Sequence, residues 1–211
     1  MSVTMPRRTL QLIVDCRRPR ALALDCVRAA VDAGVDWIQV RDHHAPASDF
    51  FDLACAVKEI SRSSNAQLAV NDRVDVALAV DAEAVQLGAR GLDPAVVRRI
   101  APRLAIGVSI HSVDEARAVD EVTVDWLTFG HVFATGTHPG EPPRGVDALR
   151  EVVRATSRPV IAIGGITEAN VDQVVAAGAA GVMVISAILD AADPGAAAAS
   201  LRRMLDRTPW R

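Results

Sequence analysis

Aromatic residues are scarce in this sequence, and basic residues are not in excess over acidic ones. It contains no tyrosine, four phenylalanines and three tryptophans among 211 residues, and its apolar half is mostly Ala, Val, Leu and Ile. This composition suits β-branched strands packed against Ala-rich helices. The formal net charge of −3 provides no basic surface for nucleic acid or for acidic membranes. The pairs Arg17-Arg18 and Arg98-Arg99 are local, and we expect them to be solvated.

Cysteines and long apolar runs are also few. Cys16, Cys26 and Cys55 are odd in number and have neither metal-binding nor redox spacing, which favours a reducing compartment. No apolar run approaches the roughly 20 residues that span a bilayer. Met1–Pro6 lacks the apolar core of a signal peptide and is expected to be a short disordered lead-in. We therefore expect a cytoplasmic protein with no membrane partner.

Strand-like apolar runs alternate with helical patterns along the chain. The predicted strands are Leu10–Val14, Trp37–Arg41, Gln67–Val70, Ala84–Leu87, Ala105–Val108, Trp126–Phe129, Val160–Ile163 and Val182–Ile185. The predicted helices cover 21–33, 47–62, 73–80, 93–101, 112–119, 145–156, 167–177 and 193–206. Near-continuous apolar strands favour a closed parallel barrel, and no Gly-x-Gly-x-x-Gly opens the first unit as in a dinucleotide fold. The sequence therefore predicts an α/β protein with a single (β/α)8 TIM barrel, as one domain over residues 1–211.

The last two predicted strands stop abruptly at small residues. Gly164 and Gly165 follow one strand, Ser186 follows the next after Ile185, and Thr167 is the expected N-cap of the intervening helix. In parallel barrels the last two βα loops commonly bind phosphate through backbone N–H groups and a helix N-terminus. We predict phosphate binding at Gly164, Gly165, Ile185 and Ser186. The alternative is that the glycines only permit close helix–strand packing.

Polar residues stand at or just after the ends of the first six strands. They are Asp15, Gln39, Arg41, Asn71, Asp72, Gln86, Ser109, His111, Gly130 and His131. Barrel enzymes place their chemistry at the carboxyl ends of the strands. Packing does not readily explain polar side chains at one end of apolar strands, so this constellation is the predicted active site.

The segment from Gly130 to Gly145 is a long loop rich in Gly and Pro, with a length that suits a lid over a ligand. His131 stands at its root, whereas His138 stands in its middle and is expected to be exposed to solvent. An imidazole near its usual pKa can both give and take a proton. His131 is therefore the predicted acid/base residue; the alternative is a histidine that only hydrogen-bonds the barrel rim.

Nearly the whole chain resembles the thiamine phosphate synthase superfamily of TIM barrels. The matching motifs are Gln39–Arg41, Asn71–Asp75, Gly107–Glu115, Gly130–Phe133 and Ile163–Ile166. The synthase branch joins a pyrimidine pyrophosphate to a thiazole phosphate, using magnesium and lysines on the pyrophosphate. His43 and His138 stand where that branch usually has lysines, and Gly91 stands where it usually has a magnesium-binding Asp. Asp72 remains.

The thiazole tautomerase branch of this superfamily resembles the chain at Val85–Leu87, Gly130–Phe133 and Arg144–Val146. The resemblance implies a metal-independent proton shift, catalysed by His131, that aromatises a carboxythiazole phosphate without a cofactor. It also implies that Arg41 faces the substrate carboxylate. The residues expected to shape the ring pocket are Asn71, Ser109 and His111.

Three functions fit these observations. Thiazole tautomerase is the main expectation. A divergent thiamine phosphate synthase, which would need magnesium, is favoured by Asp72 and by the retained Thr135 and Thr137. The third is a non-catalytic regulator that binds thiazole phosphate. The expected partner is a small phosphorylated thiazole, not nucleic acid or membrane, and homo-oligomerisation is left open.

Overall fold

A computed structural model of the chain describes residues 8–119 and 122–207. Within these ranges, eight parallel strands pair in chain order and close into a barrel, which confirms the predicted (β/α)8 fold. The strands are β1 Thr9–Val14, β2 Trp37–Val40, β3 Gln67–Asn71, β4 Ala84–Leu87, β5 Ala105–Ile110, β6 Trp126–Phe129, β7 Val160–Ile163 and β8 Gly181–Val184. The expected lead-in, Met1–Pro6, lies outside the described residues.

Helices follow the strands and cover the outside of the barrel. They are α1 Arg20–Asp32, α2 Ala47–Arg62, α3 Val74–Ala79, α4 Pro94–Ile100, α5 Val113–Ala118, α6 Gly145–Ala155, α7 Val171–Ala176, α8 Ser186–Leu189 and α9 Pro194–Arg207. Most bounds lie within one or two residues of the predicted ones. In the described part of the chain, no helix has the length and apolar character needed to cross a bilayer.

The prediction was wrong at the last two loops. Helix α7 begins at Val171 rather than at 167, because the Asn170 side chain holds the preceding segment in a turn. Its Oδ1 accepts a hydrogen bond from the Thr167 N–H at 2.9 Å, and its Nδ2 donates to the Gly165 carbonyl at 2.9 Å. Thr167 is therefore not an N-cap. The short helix α8, which opens at Ser186, was not predicted.

Side chains that point into the barrel form a core separate from the one beneath the helices. Its centre is the pair Trp37 and Trp126, whose ring centroids are 5.8 Å apart with planes tilted by 48°. Small residues on neighbouring strands, including Ala69, Ala84 and Ala105, leave room for these two indoles. The larger core lies between the outer face of the barrel and the helices. The barrel is thus packed at its centre and open only at its ends.

Buried amide side chains form a polar layer within the barrel. Gln11 Nε2 donates to Gln39 Oε1 at 3.1 Å, and Gln39 Nε2 donates to Asn71 Oδ1 at 2.8 Å. On the other side, Gln86 Oε1 accepts from Trp126 Nε1 at 3.0 Å. Burial of such groups is tolerated because they are hydrogen-bonded to one another. The polar strand-end residues therefore also have a structural role, which reading the sequence did not anticipate.

Candidate active site

A cavity of about 960 Å³ opens at the carboxyl ends of the strands. The polar residues predicted at the ends of the first six strands all line it, as do the four predicted phosphate-binding residues. They are Asp15, Gln39, Arg41, Asn71, Asp72, Gln86, Ser109, His111, Gly130, His131, Gly164, Gly165, Ile185 and Ser186. The fold thus brings together, at one end of the barrel, residues that span most of the sequence.

One side of the cavity, above β2 to β4, carries a group of charged residues that we call the cationic corner: Arg41, His43, Asp72 and Arg90. Burial lowers the pKa of the half-buried Arg41 guanidinium, and the negative charge of Asp72 partly offsets this effect. Burial also lowers the pKa of His43, which in addition feels the charges of Arg41, Asp72 and Arg90. Because Arg41, Asp72 and Arg90 all act on His43 and all line the cavity, they share one region of it. The two guanidinium groups there suit a phosphorylated ligand.

Asp72 is held rigidly within the cationic corner. Its backbone has a φ of 57°, which is uncommon for a residue other than glycine. Its Oδ2 accepts a hydrogen bond from Asn71 Nδ2 at 2.7 Å, and its Oδ1 accepts one from the Gly88 N–H at 2.7 Å. Each carboxylate oxygen has two lone pairs, so one on each oxygen remains available. Asp72 can therefore still act as a metal ligand.

Gly91 lies directly beside Asp72. A Cβ atom built at Gly91 would be 2.6 Å from Asp72 Oδ1. A carboxylate at this position would thus adjoin Asp72, and the glycine leaves Asp72 without that second ligand. Mg²⁺ is commonly bound by one or two carboxylates together with substrate phosphates. Asp72 supplies one carboxylate, which is enough when substrate phosphates supply further ligands.

The opposite side of the cavity, above β7 and β8, contains the predicted phosphate site. Gly164 and Gly165 have φ values of +99° and +64°. A Cβ at either would collide with the loop after β6: at Gly164 it would lie 2.3 Å from His131 Cβ, and at Gly165 it would lie 2.4 Å from the Ala134 carbonyl oxygen. Contact with this loop, rather than the helix–strand packing given as the alternative, therefore accounts for glycine at both positions. Phosphate binding by their N–H groups stays a prediction. Ser186 opens α8, and the first N–H groups of a helix have no partner within it.

The loop between β6 and α6, residues 130–144, is the predicted lid and is anchored at its base. The N–H groups of Val132 and Arg144 donate to the carbonyls of Ile163 at 2.9 Å and His131 at 3.0 Å. His131 is only 5% exposed. Its ring stacks on that of His138, with centroids 4.8 Å apart and planes 9° apart. The expectation that His138 is exposed to solvent is confirmed, since 43% of its side chain is accessible, and its stacking on His131 is an additional contact that the sequence did not predict.

The arginine pairs also differ from expectation. Arg17 and Arg18 line the cavity, where they form ion pairs with Asp15 and Asp190. They are therefore not merely solvated, although both remain partly exposed.

Arg98 has a structural role instead. Its guanidinium donates to the carbonyls of Leu104 at 2.9 Å and Thr123 at 2.8 Å, and to Asp125 at 2.7 Å. It thereby ties the end of α4 to the segments before β5 and β6.

Arg90 and Glu141 line the cavity but were not identified from the sequence. Arg90 could have been identified from its position three residues after the end of β4, since residues that follow the strands lie at the barrel mouth. Glu141 lies in the lid loop, where its side chain approaches His138 and its main-chain oxygen approaches His131, ten residues away; no sequence pattern indicates the second contact.

Comparison with known proteins shows a consistent similarity. Residues 10–188 match the family described as thiamine monophosphate synthase. The chain is 37% identical over 200 residues to the thiamine-phosphate synthase of Pyrococcus furiosus, covering 95% of this chain and 97% of that protein. It is 44% identical over 180 residues to the thiamine-phosphate synthase of Methanoculleus marisnigri, covering 84% and 85%. The solved structure of thiamine phosphate pyrophosphorylase from Pyrococcus furiosus superposes with a TM-score of 0.86 at 35% identity, covering 97% of this chain and 98% of that one.

These similarities contradict the expected thiazole tautomerase. The relatives that match nearly the whole chain are named thiamine-phosphate synthases. The motifs around Gly130–Phe133 and Arg144–Val146 were therefore given too much weight, since they are short loop segments, whereas the similarity extends over most of the chain.

Proposed function

The chain is an enzyme that belongs to the thiamine monophosphate synthase family, and on this premise we propose that it is a thiamine phosphate synthase. The reaction joins hydroxymethylpyrimidine pyrophosphate to a thiazole phosphate. A new bond forms between the pyrimidine methylene carbon and the thiazole nitrogen, while the bond from that carbon to the pyrophosphate oxygen breaks. The products are thiamine phosphate and free pyrophosphate.

The observation that carries the proposal is a single cavity lined by two separate regions that are each suited to an anion. The cationic corner lies above β2 to β4, and the predicted phosphate site lies above β7 and β8. In a closed barrel of eight strands in chain order, β3 and β7 are diametrically opposed. The tautomerase substrate would bring one phosphate and one carboxylate, and a carboxylate needs neither a second guanidinium group nor a metal ligand beside it. A synthase needs two corners for phosphate groups, one for the thiazole phosphate and one for the pyrophosphate, and about 960 Å³ is large for a single small ligand.

In the proposed reaction, the cationic corner holds the leaving group. The guanidinium groups of Arg41 and Arg90 would bind pyrophosphate oxygens, since arginine forms paired hydrogen bonds to such groups. Asp72 would hold a magnesium ion shared with the pyrophosphate, and that ion would neutralise charge that develops on the departing oxygens. Asn71 keeps the Asp72 carboxylate oriented through its 2.7 Å hydrogen bond.

The opposite corner holds the nucleophile. Backbone N–H groups at Gly164, Gly165, Ile185 and Ser186 would bind the thiazole phosphate, as in many barrels with a short extra helix after strand eight. Ser109 and His111 line the cavity between the two corners and are proposed to contact the rings. Holding the two reactants in line supplies most of the catalytic effect in such a displacement.

Arginines offer an explanation for the missing lysines. His43 and His138 occupy positions where the family usually has lysine, yet Arg17, Arg41 and Arg90 also line the cavity. A guanidinium remains charged at any pH at which the protein is folded. We propose that these arginines supply the positive charge for pyrophosphate in this member of the family.

The acid/base role of His131 is not part of this proposal. A thiazole nitrogen attacks through its own lone pair, so the joining step requires no proton to be moved to or from it. The assignment of His131 as a proton shuttle stays a prediction from sequence.

The test is synthesis of thiamine phosphate from its two halves by the purified chain with magnesium, followed by chromatography and by pyrophosphate release. We expect EDTA to abolish turnover and added magnesium to restore it. Asp72→Asn should lower kcat/KM by roughly 10²-fold or more, since a metal supplies several kcal/mol of transition-state stabilisation. Asp75→Asn is the matched control, because this exposed carboxylate in the same motif pairs with Arg73. Absence of product from folded enzyme, or turnover indifferent to EDTA, would contradict the proposal.

A further inference from the structure

The lid loop brings together three side chains that can ligate a metal. They are His131, His138 and Glu141, and their ligand atoms all lie within 4.8 Å of one another. All three line the cavity at the barrel mouth. The proposed function leaves them without a role, since it assigns phosphate binding to other residues and requires no proton shuttle.

The three side chains are already close to one another. The two imidazoles stack with planes 9° apart. His138 Nδ1 lies 3.4 Å from Glu141 Oε1, and His131 Nε2 lies 3.4 Å from the Glu141 main-chain oxygen. The turn that carries His138 and Glu141 is closed by hydrogen bonds from the His138 N–H to the Thr135 carbonyl at 3.2 Å and from the Glu141 N–H to the His138 carbonyl at 3.3 Å. This turn holds two of the three side chains beside His131.

The ligand set selects a particular class of cation. Imidazole nitrogens suit zinc, copper, nickel and cobalt, whereas magnesium and calcium prefer oxygen ligands. Two imidazoles and one carboxylate, with a fourth position open, are a known donor set for Zn²⁺. Tetrahedral bonds of about 2.0–2.2 Å place ligand atoms about 3.4 Å apart. The largest separation here, up to 4.8 Å, thus has to shrink by roughly 1.4 Å, which movement of the exposed His138 and Glu141 side chains and of the loop that carries them can provide.

We propose that His131, His138 and Glu141 bind a divalent cation of the zinc class, and that this cation draws the lid loop closed over the barrel mouth. His131 is fixed at the root of the loop and is buried, while the side chains of His138 and Glu141 are 43% and 61% exposed. Coordination would therefore move the two exposed ligands towards the fixed one. The site is distinct from the proposed magnesium position at Asp72, which lies above β3 on the other side of the mouth.

Binding is tested directly, without reference to activity. Tag-free, chelator-treated protein is titrated with Co²⁺ and followed by its visible absorption, and Zn²⁺ is then used to displace the cobalt. We expect one equivalent to bind to the wild type. His138→Asn and Glu141→Gln should each lose more than the roughly 10–100-fold in affinity that changes around a metal site typically cost. Both changes lie on an exposed loop, and thermal unfolding without metal verifies that the variants are folded.

The matched control is His44→Asn, which removes an exposed imidazole outside this cluster and outside the cavity. It should bind cobalt and zinc as the wild type does. Absence of binding to the wild type, or equal affinity in all four proteins, would overturn the proposed site.

The closing of the lid loop rests on the proposed function and has its own measurement. With magnesium in excess, Zn²⁺ should inhibit thiamine phosphate formation by the wild type at concentrations that saturate the cobalt-binding site. Inhibition should require at least tenfold more Zn²⁺ in Glu141→Gln, measured relative to the zinc-free rate of that variant. If cobalt binds but Zn²⁺ does not inhibit, the proposed closure of the lid loop is wrong, whereas the proposed metal site still stands. Failure of the synthase assay itself would not alter the spectroscopic result.

Discussion

Replacement of Gln86 by leucine should destabilise the barrel and disturb the cavity above it. Gln86 is 1% exposed. Its Oε1 accepts hydrogen bonds from Trp126 Nε1 at 3.0 Å and from Thr128 Oγ1 at 3.1 Å, and its Nε2 donates to Ser109 Oγ at 3.1 Å. The side chain thus connects the packed centre of the barrel to a residue of the candidate site.

The magnitude follows from the donors left without an acceptor. In Gln86→Leu, the Trp126 N–H and the Thr128 hydroxyl would both lose their buried acceptor. An unsatisfied buried group costs about 1–3 kcal/mol, and the added apolar contact of leucine offsets about 1 kcal/mol. We expect a net loss of about 2–4 kcal/mol in the free energy of unfolding. For a chain of this length that corresponds to a fall in Tm of about 10 °C.

Urea unfolding followed by tryptophan fluorescence measures this loss in the free energy of unfolding. The control is Gln173→Leu, an exposed change on α7, whose expected effect is below about 0.5 kcal/mol. A double-mutant cycle sharpens the test. On a Thr128→Val background, one of the two orphaned donors is absent, so Gln86→Leu should cost about 1 kcal/mol less. Gln86→Leu with wild-type stability, or an identical cost on both backgrounds, would refute this account of the buried polar layer.

Three further predictions follow from the site and its surroundings. Ser186→Asp places a carboxylate at the start of α8, which a helix N-terminus tolerates, but it should raise KM for the thiazole phosphate at least ~10-fold with little change in kcat; an unchanged KM would exclude phosphate from this position. Burial, reinforced by the charges of Asp42 and Asp15, raises the pKa of Cys16 to about 11. Alkylation of Cys16 at pH 8, followed by peptide mass spectrometry, should therefore be about 100-fold slower than for an ordinary thiol and rise tenfold per pH unit from 7 to 9; fast labelling at neutral pH would contradict this. Arg98→Met should lower the free energy of unfolding by about 1–3 kcal/mol because it removes the donors of the hydrogen bonds to the Leu104 carbonyl and to Asp125, which keeps the Ile106 N–H, whereas the exposed neighbour Arg99→Met should have little effect in the same urea titration.

The barrel and the location of its active end could be predicted from the chain because both depend on local, repeating signals. Apolar runs of four to six residues alternate with helical patterns, and such units close into a parallel barrel when their strands are buried on both faces. Polar residues that interrupt these runs at the same end must then meet. Asp15, Asn71 and His131 are far apart in sequence yet line one cavity for this reason alone.

The choice between the two branches of the superfamily was wrong because it depended on short loop motifs. The chain has His43 and His138 where the synthase branch usually has lysines, and Gly91 where that branch usually has an Asp. These differences favoured the tautomerase branch. The sequence does not show that Arg90 shares a corner with Arg41 and Asp72, because that proximity depends on how β2, β3 and β4 lie side by side. Charge in a site is set by which side chains converge there, whatever their sequence motif.

Sequence alone determined the fold class, the strand positions and many of the polar residues at the barrel mouth, since periodicity and strand ends are properties of consecutive residues. The tertiary structure decided the rest. It showed that Asn170 shifts the start of α7, that Gly164 and Gly165 are small because the loop after β6 packs against them, and that His131 stacks on His138 beside Glu141. Each of these depends on contacts between loops, whose paths are fixed by packing against neighbouring loops and carry no periodic signal.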